Sequence, residues 1–479
     1  MYERFGLLID GQWRTAKSGE TRPVIDPTNE EIIGTLPAAG PEELDEVLES
    51  LQRVAPLWRA VSGWERSALL RRIVDEMRLR ARDAALAMSR ETGKPVAEAA
   101  GEFQAAIEQF DWYADEARRI FGHTLDGRDP SVRLQVRYDP VGPVAAFTAW
   151  NFPALLPARK IAAALAAGCP IVIKPSEEAP SSTFYIADAA MAAGLPPGVL
   201  NVVCGRSSTI SEHLIASPVI RKVSLTGSVP VGKLILKQCA DTVKKVSMEL
   251  GGHAPVIVFE DADPIAAGQL CARTKFRNAG QVCISPSRFY VHESLYEPFS
   301  QAMAKTARAL KVGRGLDKGV EFGPMANARG RDRVIKLVDD AIAKGADLLA
   351  GGGIPPEYDS GFYFQPTVLG QVPDDAEIMS DEPFGPVAPI STFSNFDDVI
   401  RRANNVPYGL AGYVFTQSLQ TATRASEALE VGMVGVNDML LAAAEIPFGG
   451  IKESGMGREG GALGILDYLE AKYIKLKLK

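Results

Sequence analysis

The rhythm of hydrophobic and polar positions changes several times along the chain. Leu7-Leu8-Ile9 runs into Asp10-Gly11, a hairpin signal, and Ile25-Asp26-Pro27 closes the next apolar segment, so residues 7–35 read as short strands with turns. From Pro41-Glu42-Glu43 the apolar residues recur at helical spacing through Leu51. Residues 64–91 and 95–120 continue that spacing with mixed charge and predict scaffold helices. Ser131–Tyr138 then alternates strictly, with Val132, Leu134, Val136 and Tyr138 on one face and Ser131, Arg133, Gln135 and Arg137 on the other. The last seven residues do the same, Ile474, Leu476 and Leu478 alternating with Tyr473, Lys475, Lys477 and Lys479. Both stretches predict half-buried strands, the second with lysines that discourage uncontrolled edge pairing. They suggest a small accessory sheet suited to a subunit contact, with a plain surface hairpin as the alternative.

From Val141 the pattern becomes α/β. Strands are predicted at Val144–Phe147, Ile171–Ile173, Val199–Val203 and Val223–Leu225, and helices end at Ala167 or span 181–193, 208–216 and 231–240. This alternation predicts a parallel, doubly wound sheet of the mononucleotide-binding type. Residues 246–259 open a further unit with a buried strand at Pro255–Phe259. More α/β units follow to about residue 448, with helices at 296–310, 329–344, 396–404 and 419–430.

A chain of 479 residues exceeds the size at which one core keeps growing, so two or three domains are expected. Hydrophobic residues at 46% and charged residues at 23% are an ordinary globular balance. A net charge of −7 gives no footprint for nucleic acid or an anionic membrane. The five cysteines (169, 204, 239, 271 and 283) form no C-x-x-C pair, which argues against a disulfide framework or zinc site and for a reducing compartment. No four-apart pair occurs among the histidines at 123, 213, 253 and 292, so no catalytic metal is expected. The start of the chain has no signal-like pattern, and its longest uncharged apolar run, Ile161–Ile173, is too short to span a bilayer. The expectation is a soluble cytoplasmic protein.

Chemistry concentrates in a few stretches. In Phe276–Ile284, Gly280 permits a turn that other residues resist, and Cys283 follows it in a segment whose single charge is Arg277. That setting suits a nucleophilic thiol as well as a plain buried cysteine. Gly227-Ser228-Val-Pro-Val-Gly232 follows a strand and opens a helix, where free N–H groups favour a pyrophosphate, although no G-x-G-x-x-G occurs. Lys174 at a strand end, with Glu177 three residues on, suits ribose hydroxyls or is simply a solvated pair. Asn151, between Trp150 and Phe152-Pro153, offers an amide donor to an oxyanion, joined by the Cys283 backbone N–H. Glu249, flanked by Met248, Leu250, Gly251 and Gly252, lies in an apolar setting that raises a carboxylate toward general-base duty.

In order and spacing, Trp150-Asn-Phe-Pro, Ile173-Lys-Pro-Ser-Glu177, Thr226-Gly-Ser228, Glu249-Leu-Gly-Gly252, Phe276–Cys283, Glu382-Pro-Phe-Gly-Pro386 and Pro447-Phe-Gly-Gly450 together resemble the NAD(P)-dependent aldehyde dehydrogenase family. The resemblance spans essentially the whole chain. It implies two doubly wound α/β domains plus a small β element for oligomerisation: residues 1–120 and 141–250 for the cofactor, 251–448 for catalysis, and 121–140 with 449–479 as the bridging segment. It implies Cys283 as nucleophile, Asn151 as oxyanion donor, Glu249 as general base, and Lys160 with Glu459 as a proton-relay pair behind it. For NAD, with NADP as an option, it implies Lys174 and Glu177 at the adenosine ribose and Ser228 with Gly227 at the pyrophosphate. Glu382 would hold the nicotinamide ribose, with Trp150, Leu250, Gly251 and Phe384 alongside.

Arg159 and Arg277 match positions that look like the carboxylate clamp of succinate- and 2-oxoglutarate-semialdehyde dehydrogenases, with Phe448 in the substrate channel. Two guanidinium groups at one mouth need an anion to share. Ala443 replaces a serine typical of the succinate-semialdehyde enzymes, and Ser285 a frequent second cysteine, which excludes a redox switch between those positions. The expected activity is oxidation of a carboxylate-bearing semialdehyde by a homodimer or homotetramer. The alternatives are a general aldehyde dehydrogenase, an acylating coenzyme A-dependent enzyme, against which Glu249 argues, and a catalytically silent relative. The absence of G-x-S-x-G disfavours a hydrolase.

Overall fold

The computed structural model describes residues 2–478. Its centre is an eight-stranded sheet. Five strands run parallel in the order Leu200–Val202, Ile171–Lys174, Val144–Phe147, Lys222–Thr226 and Lys245–Glu249. Val144–Phe147 and Ile171–Lys174 are buried at every position, as strands covered by helices on both faces must be. The strand order reverses between Val144–Phe147 and Lys222–Thr226. Ligands bind at the carboxyl ends of strands at such a switch point, and here those ends feed into Trp150-Asn151 and Gly227-Ser228.

The expected hairpin at Asp10-Gly11 forms, with both residues at positive φ (51° and 79°), the conformation that two-residue hairpin loops require. Its first strand, Leu7–Ile9, joins the large sheet through Leu8 opposite Val202, an extension the sequence pattern did not show. The scaffold helices span Pro41–Ala60, Gly63–Thr92 and Val96–Glu116. Ser62 caps the second of these and receives Glu65 in a capping box.

A second, seven-stranded sheet follows. Its strand Ala254–Val258 lies between Pro286–His292 and Ala411–Phe415, again with parallel neighbours. Each sheet has its own apolar core, one drawn from Phe5 to Leu250 plus Ile465–Leu469, the other from Ala254 to Met439.

The accessory sheet forms from His123–Asp126, Val132–Pro140 and Leu469–Lys477. Its register differs from a shared apolar face. Tyr473 pairs with Val136, Ile474 with Gln135 and Leu476 with Arg133, so the apolar rows of the two long strands lie on opposite faces. Consequently both faces carry exposed apolar side chains, Tyr473 and Leu125 on one and Leu476 on the other. No helix among the described residues is long and apolar enough to cross a membrane.

Candidate active site

The carboxyl ends of the first sheet face the amino ends of the second sheet's strands. Glu249 closes strand Lys245–Glu249, whereas Cys283 lies just before Pro286–His292 and Glu382 and Phe384 just before Val387–Phe393. Between them is a cleft of about 550 Å³ lined by Trp150, Asn151, Arg159, Gly227, Ser228, Glu249, Leu250, Gly251, Cys283, Glu382, Phe384, Phe448 and Glu459. Most of the residues singled out in the sequence therefore meet in one place. Among the described residues no cluster of acidic, histidine and cysteine side chains is arranged to hold a metal.

The Cys283 loop is built by backbone strain. Asn278, Ala279 and Gly280 all have positive φ (49°, 51° and 71°), which only glycine adopts without cost. A Cβ on Gly280 would also collide with the Gly385 carbonyl. The turn places Cys283 with its side chain only partly covered, at the cleft. Burial pushes the thiol up to about 12, opposed by the nearby Arg159 guanidinium and reinforced by Glu249 and Glu382.

Asn151 is buried, and its Nδ2 donates to the Gln281 carbonyl at 3.1 Å. The loop that carries it is anchored by residues with no visible motif. Lys94 Nζ donates to Glu102 Oε2 at 2.6 Å and to the Asn151 carbonyl at 2.8 Å, and Asn278 Nδ2 donates to the same carbonyl at 3.0 Å. Glu102 Oε1 in turn accepts from Ala154 N at 2.8 Å, capping the start of helix Leu155–Ala167. Lys94 and Glu102 are both fully buried and lie far from the loop in sequence, so no local pattern pointed to them.

Glu249 is buried and neither carboxylate oxygen has a hydrogen-bond partner. Burial, and then the charge of Glu459, raise its carboxyl well above the usual range, against the pull of Lys160 and Arg159. Behind it, Lys160 Nζ contacts Glu459 Oε1 and donates to Ser224 Oγ at 3.1 Å, while Glu459 Oε2 is left without a partner. Lys160 does not line the cleft itself. It is fully buried and reaches the cleft only through Glu459, which lines it.

The two arginines part company. Arg159 is 3% exposed, has no hydrogen bond or ion pair among the described residues, and lies 4.2 Å from the centre of the Phe448 ring. Arg277 is exposed, lies 5.3 Å from the Phe152 ring centre and is not among the residues lining the cleft. Arg159 thus lines the cleft, whereas Arg277 lies outside that lining, over Phe152 next to Asn151. The helix Pro264–Phe276 ends immediately before Arg277, and the left-handed turn that follows carries Cys283 inward while Arg277 stays at the surface.

The residues present fit a dinucleotide. Ser228 is the N-cap of helix Val229–Ala240 and its side chain makes no capping bond, which leaves first-turn donors facing the cleft. A Cβ on Gly232 would lie 2.5 Å from Leu250, so glycine there lets the helix pack close to the strand end. Gly251 is equally constrained, since a Cβ would lie 2.5 Å from Glu382 Oε2. Glu382 Oε1 accepts from Gly252 N at 3.2 Å, and burial lifts this carboxyl to about 8. Trp150 meets Phe384 edge to face at 5.6 Å. Lys174 and Glu177 line a neighbouring cavity of about 370 Å³, and Asn327 lines both.

Comparison with known proteins agrees with this geometry. The model of the aldehyde dehydrogenase family matches residues 13–474. The succinate-semialdehyde dehydrogenase [NADP(+)] of Escherichia coli is 42% identical, over 98% of this chain and 97% of its own. The glutarate-semialdehyde dehydrogenase of Pseudomonas putida is 42% identical over 97% and 96%. The crystal structure of succinate-semialdehyde dehydrogenase from Burkholderia pseudomallei superposes with a TM-score of 0.97 at 43% identity, covering 99% of this chain and 98% of that one.

Proposed function

The chain belongs to the aldehyde dehydrogenase family, and from that premise we propose that it oxidises a semialdehyde bearing a terminal carboxylate, of the succinate, glutarate or 2-oxoglutarate class, to the dicarboxylic acid. It is an NAD(P)-dependent oxidoreductase acting on aldehydes. The observation that carries the substrate reading is Arg159. A buried guanidinium with no anionic partner is costly, and in the cleft beside Cys283 a substrate carboxylate is the partner that removes the cost. Phe448 beneath it supplies the apolar wall for the carbon chain.

The chain's own groups account for forming the thiol adduct and hydrolysing the thioester, and the oxidation between them needs the hydride acceptor. Cys283, once its proton is removed, forms a carbon–sulfur bond to the aldehyde carbon, and the carbonyl electron pair moves onto oxygen. Asn151 Nδ2 and the Cys283 backbone N–H are the donors for that oxyanion. NAD(P)⁺, when bound, supplies the hydride acceptor. Lys174 and Glu177 would hold its adenosine ribose, Ser228 and Gly227 the pyrophosphate, and Glu382 the nicotinamide ribose, with Trp150, Leu250, Gly251 and Phe384 as walls. The resulting thioester is hydrolysed by water whose proton passes to Glu249, a carboxylate held at raised basicity by burial. Lys160 and Glu459 carry that proton onward. We assign the first core to cofactor binding (residues 1–120 and 141–250) and the second to catalysis (251–448). The bridging segment of 121–140 and 449–479, whose accessory sheet exposes apolar side chains on both faces, serves as the contact of a homodimer or homotetramer in a reducing, cytoplasmic setting.

The test is a panel of aldehydes with and without a terminal carboxylate, assayed with wild type and Cys283→Ala. Wild type should favour the carboxylate-bearing members, and Cys283→Ala should turn over none while still binding dinucleotide. A wild type that favours the uncharged aldehydes refutes the substrate reading.

A further inference from the structure

One ion pair at the adenosine end of the cofactor cleft is explained by none of the motifs. Arg22 lies on strand Thr21–Ile25, which belongs to a separate two-stranded hairpin, yet its Nε donates to Glu177 Oε2 at 2.5 Å across 155 positions of sequence. Arg22 makes no other hydrogen bond among the described residues, so its two Nη groups are uncommitted. The second oxygen, Glu177 Oε1, is buried without a hydrogen-bond partner, and Lys174 Nζ stands 3.9 Å from it. Lys174, Ser176, Glu177, Glu178 and Ser207 line the same cavity, and Ser176 Oγ is engaged by Glu178. Lys174 and two carboxylates therefore line the place where the ribose hydroxyls would lie, with Arg22 held against Glu177 beside Pro23, which lines the cavity.

A carboxylate at that place by itself accepts from a 2′-hydroxyl and repels a 2′-phosphate. Here the Arg22 guanidinium neutralises Glu177 through Oε2 and leaves Oε1 without a hydrogen-bond partner. We propose that Arg22 is the residue that lets this chain accept a dinucleotide carrying a 2′-phosphate as well as one with a free 2′-hydroxyl. With the hydroxyl form, Glu177 Oε1 accepts from the ribose while Arg22 holds Oε2. With the phosphate form, the Nη groups of Arg22, together with Lys174, meet the added dianion, and a guanidinium fork suits phosphate oxygens better than an ammonium would. This inference rests on the reading that the cleft seats NAD(P).

The experiment is calorimetric titration of the full chain, without aldehyde, with NAD⁺, NADP⁺, AMP and adenosine 2′,5′-bisphosphate, for wild type, Arg22→Leu and Arg206→Leu. Loss of one charge-assisted contact predicts that Arg22→Leu weakens NADP⁺ and the bisphosphate about 10- to 150-fold. NAD⁺ and AMP should stay within about threefold of wild type, because their 2′-hydroxyl meets Glu177 Oε1 and not the guanidinium, which acts on it only through Oε2. Arg206 is the other exposed cation near this end, at the N-cap of helix Ser207–Ala216. If Arg206→Leu takes the selective loss instead, or if Arg22→Leu weakens all four probes equally or none, the proposal is overturned. A wild type that binds neither dinucleotide nor AMP removes the cofactor reading itself, and the proposal with it, whereas unaltered selectivity in Arg22→Leu removes the proposal alone.

Discussion

Replacing Arg159 by leucine separates substrate recognition from chemistry. Arg159 is 3% exposed, packs on Phe448 at 4.2 Å and has no anionic partner of its own, so a substrate carboxylate would complete a buried, charge-assisted contact. Such a contact is worth about 1.5–3 kcal/mol, or about 10- to 150-fold in kcat/KM. The same guanidinium also opposes the upward shift of the Cys283 thiol and of Glu249. Its removal therefore slows every aldehyde through the nucleophile and base, and the carboxylate-specific part lies in the ratio of ratios. The assay is kcat/KM for succinate semialdehyde and for pentanal, in wild type and Arg159→Leu, at several pH values. The semialdehyde should lose about 10- to 150-fold more than pentanal. Arg277→Leu, by contrast, should alter either substrate by less than about threefold, since an exposed charge outside the cleft lining is screened by water. Equal losses on both aldehydes for Arg159→Leu, or a large selective loss for Arg277→Leu, would refute the reasoning.

Three further outcomes follow from the site. Gly280→Ala should sharply reduce both turnover and iodoacetamide labelling of Cys283, because the added Cβ meets the Gly385 carbonyl and the left-handed backbone costs about 1–2 kcal/mol more; wild-type labelling would count against it. Lys94→Met leaves Glu102 buried and unpaired, so urea unfolding should show a loss of about 3–5 kcal/mol, with kcat falling as the Asn151 loop loosens and KM for dinucleotide unchanged. For Glu249, burial and Glu459 raise the carboxyl, so wild-type steady-state turnover should fall as pH drops through that raised value. Glu249→Gln should lose this limb, keep a burst of NAD(P)H and then turn over slowly, as stopped-flow absorbance would record.

What the sequence determined was local. The alternation of apolar strands with periodic helices carried the α/β architecture, because backbone conformation answers to side chains one to four positions away. Cys283, Glu249, Asn151 and Glu382 were legible because strand-end and turn residues such as Gly227, Gly251 and Gly280 mark where the backbone must open toward a ligand. Partnerships between distant layers were not legible. Lys94 with Glu102 beneath Asn151, and Arg22 against Glu177, depend on how helices and a remote hairpin stack on the sheet, and no spacing records that. The accessory strands show the same limit. Each alternates cleanly on its own, but only the register, Tyr473 opposite Val136, decides that their apolar rows face opposite ways. Arg159 and Arg277 looked equivalent as charged residues near site motifs. The tertiary structure buried one at the end of the cleft and left the other in water, because one lies within a fully buried helix and the other at the point where its helix stops.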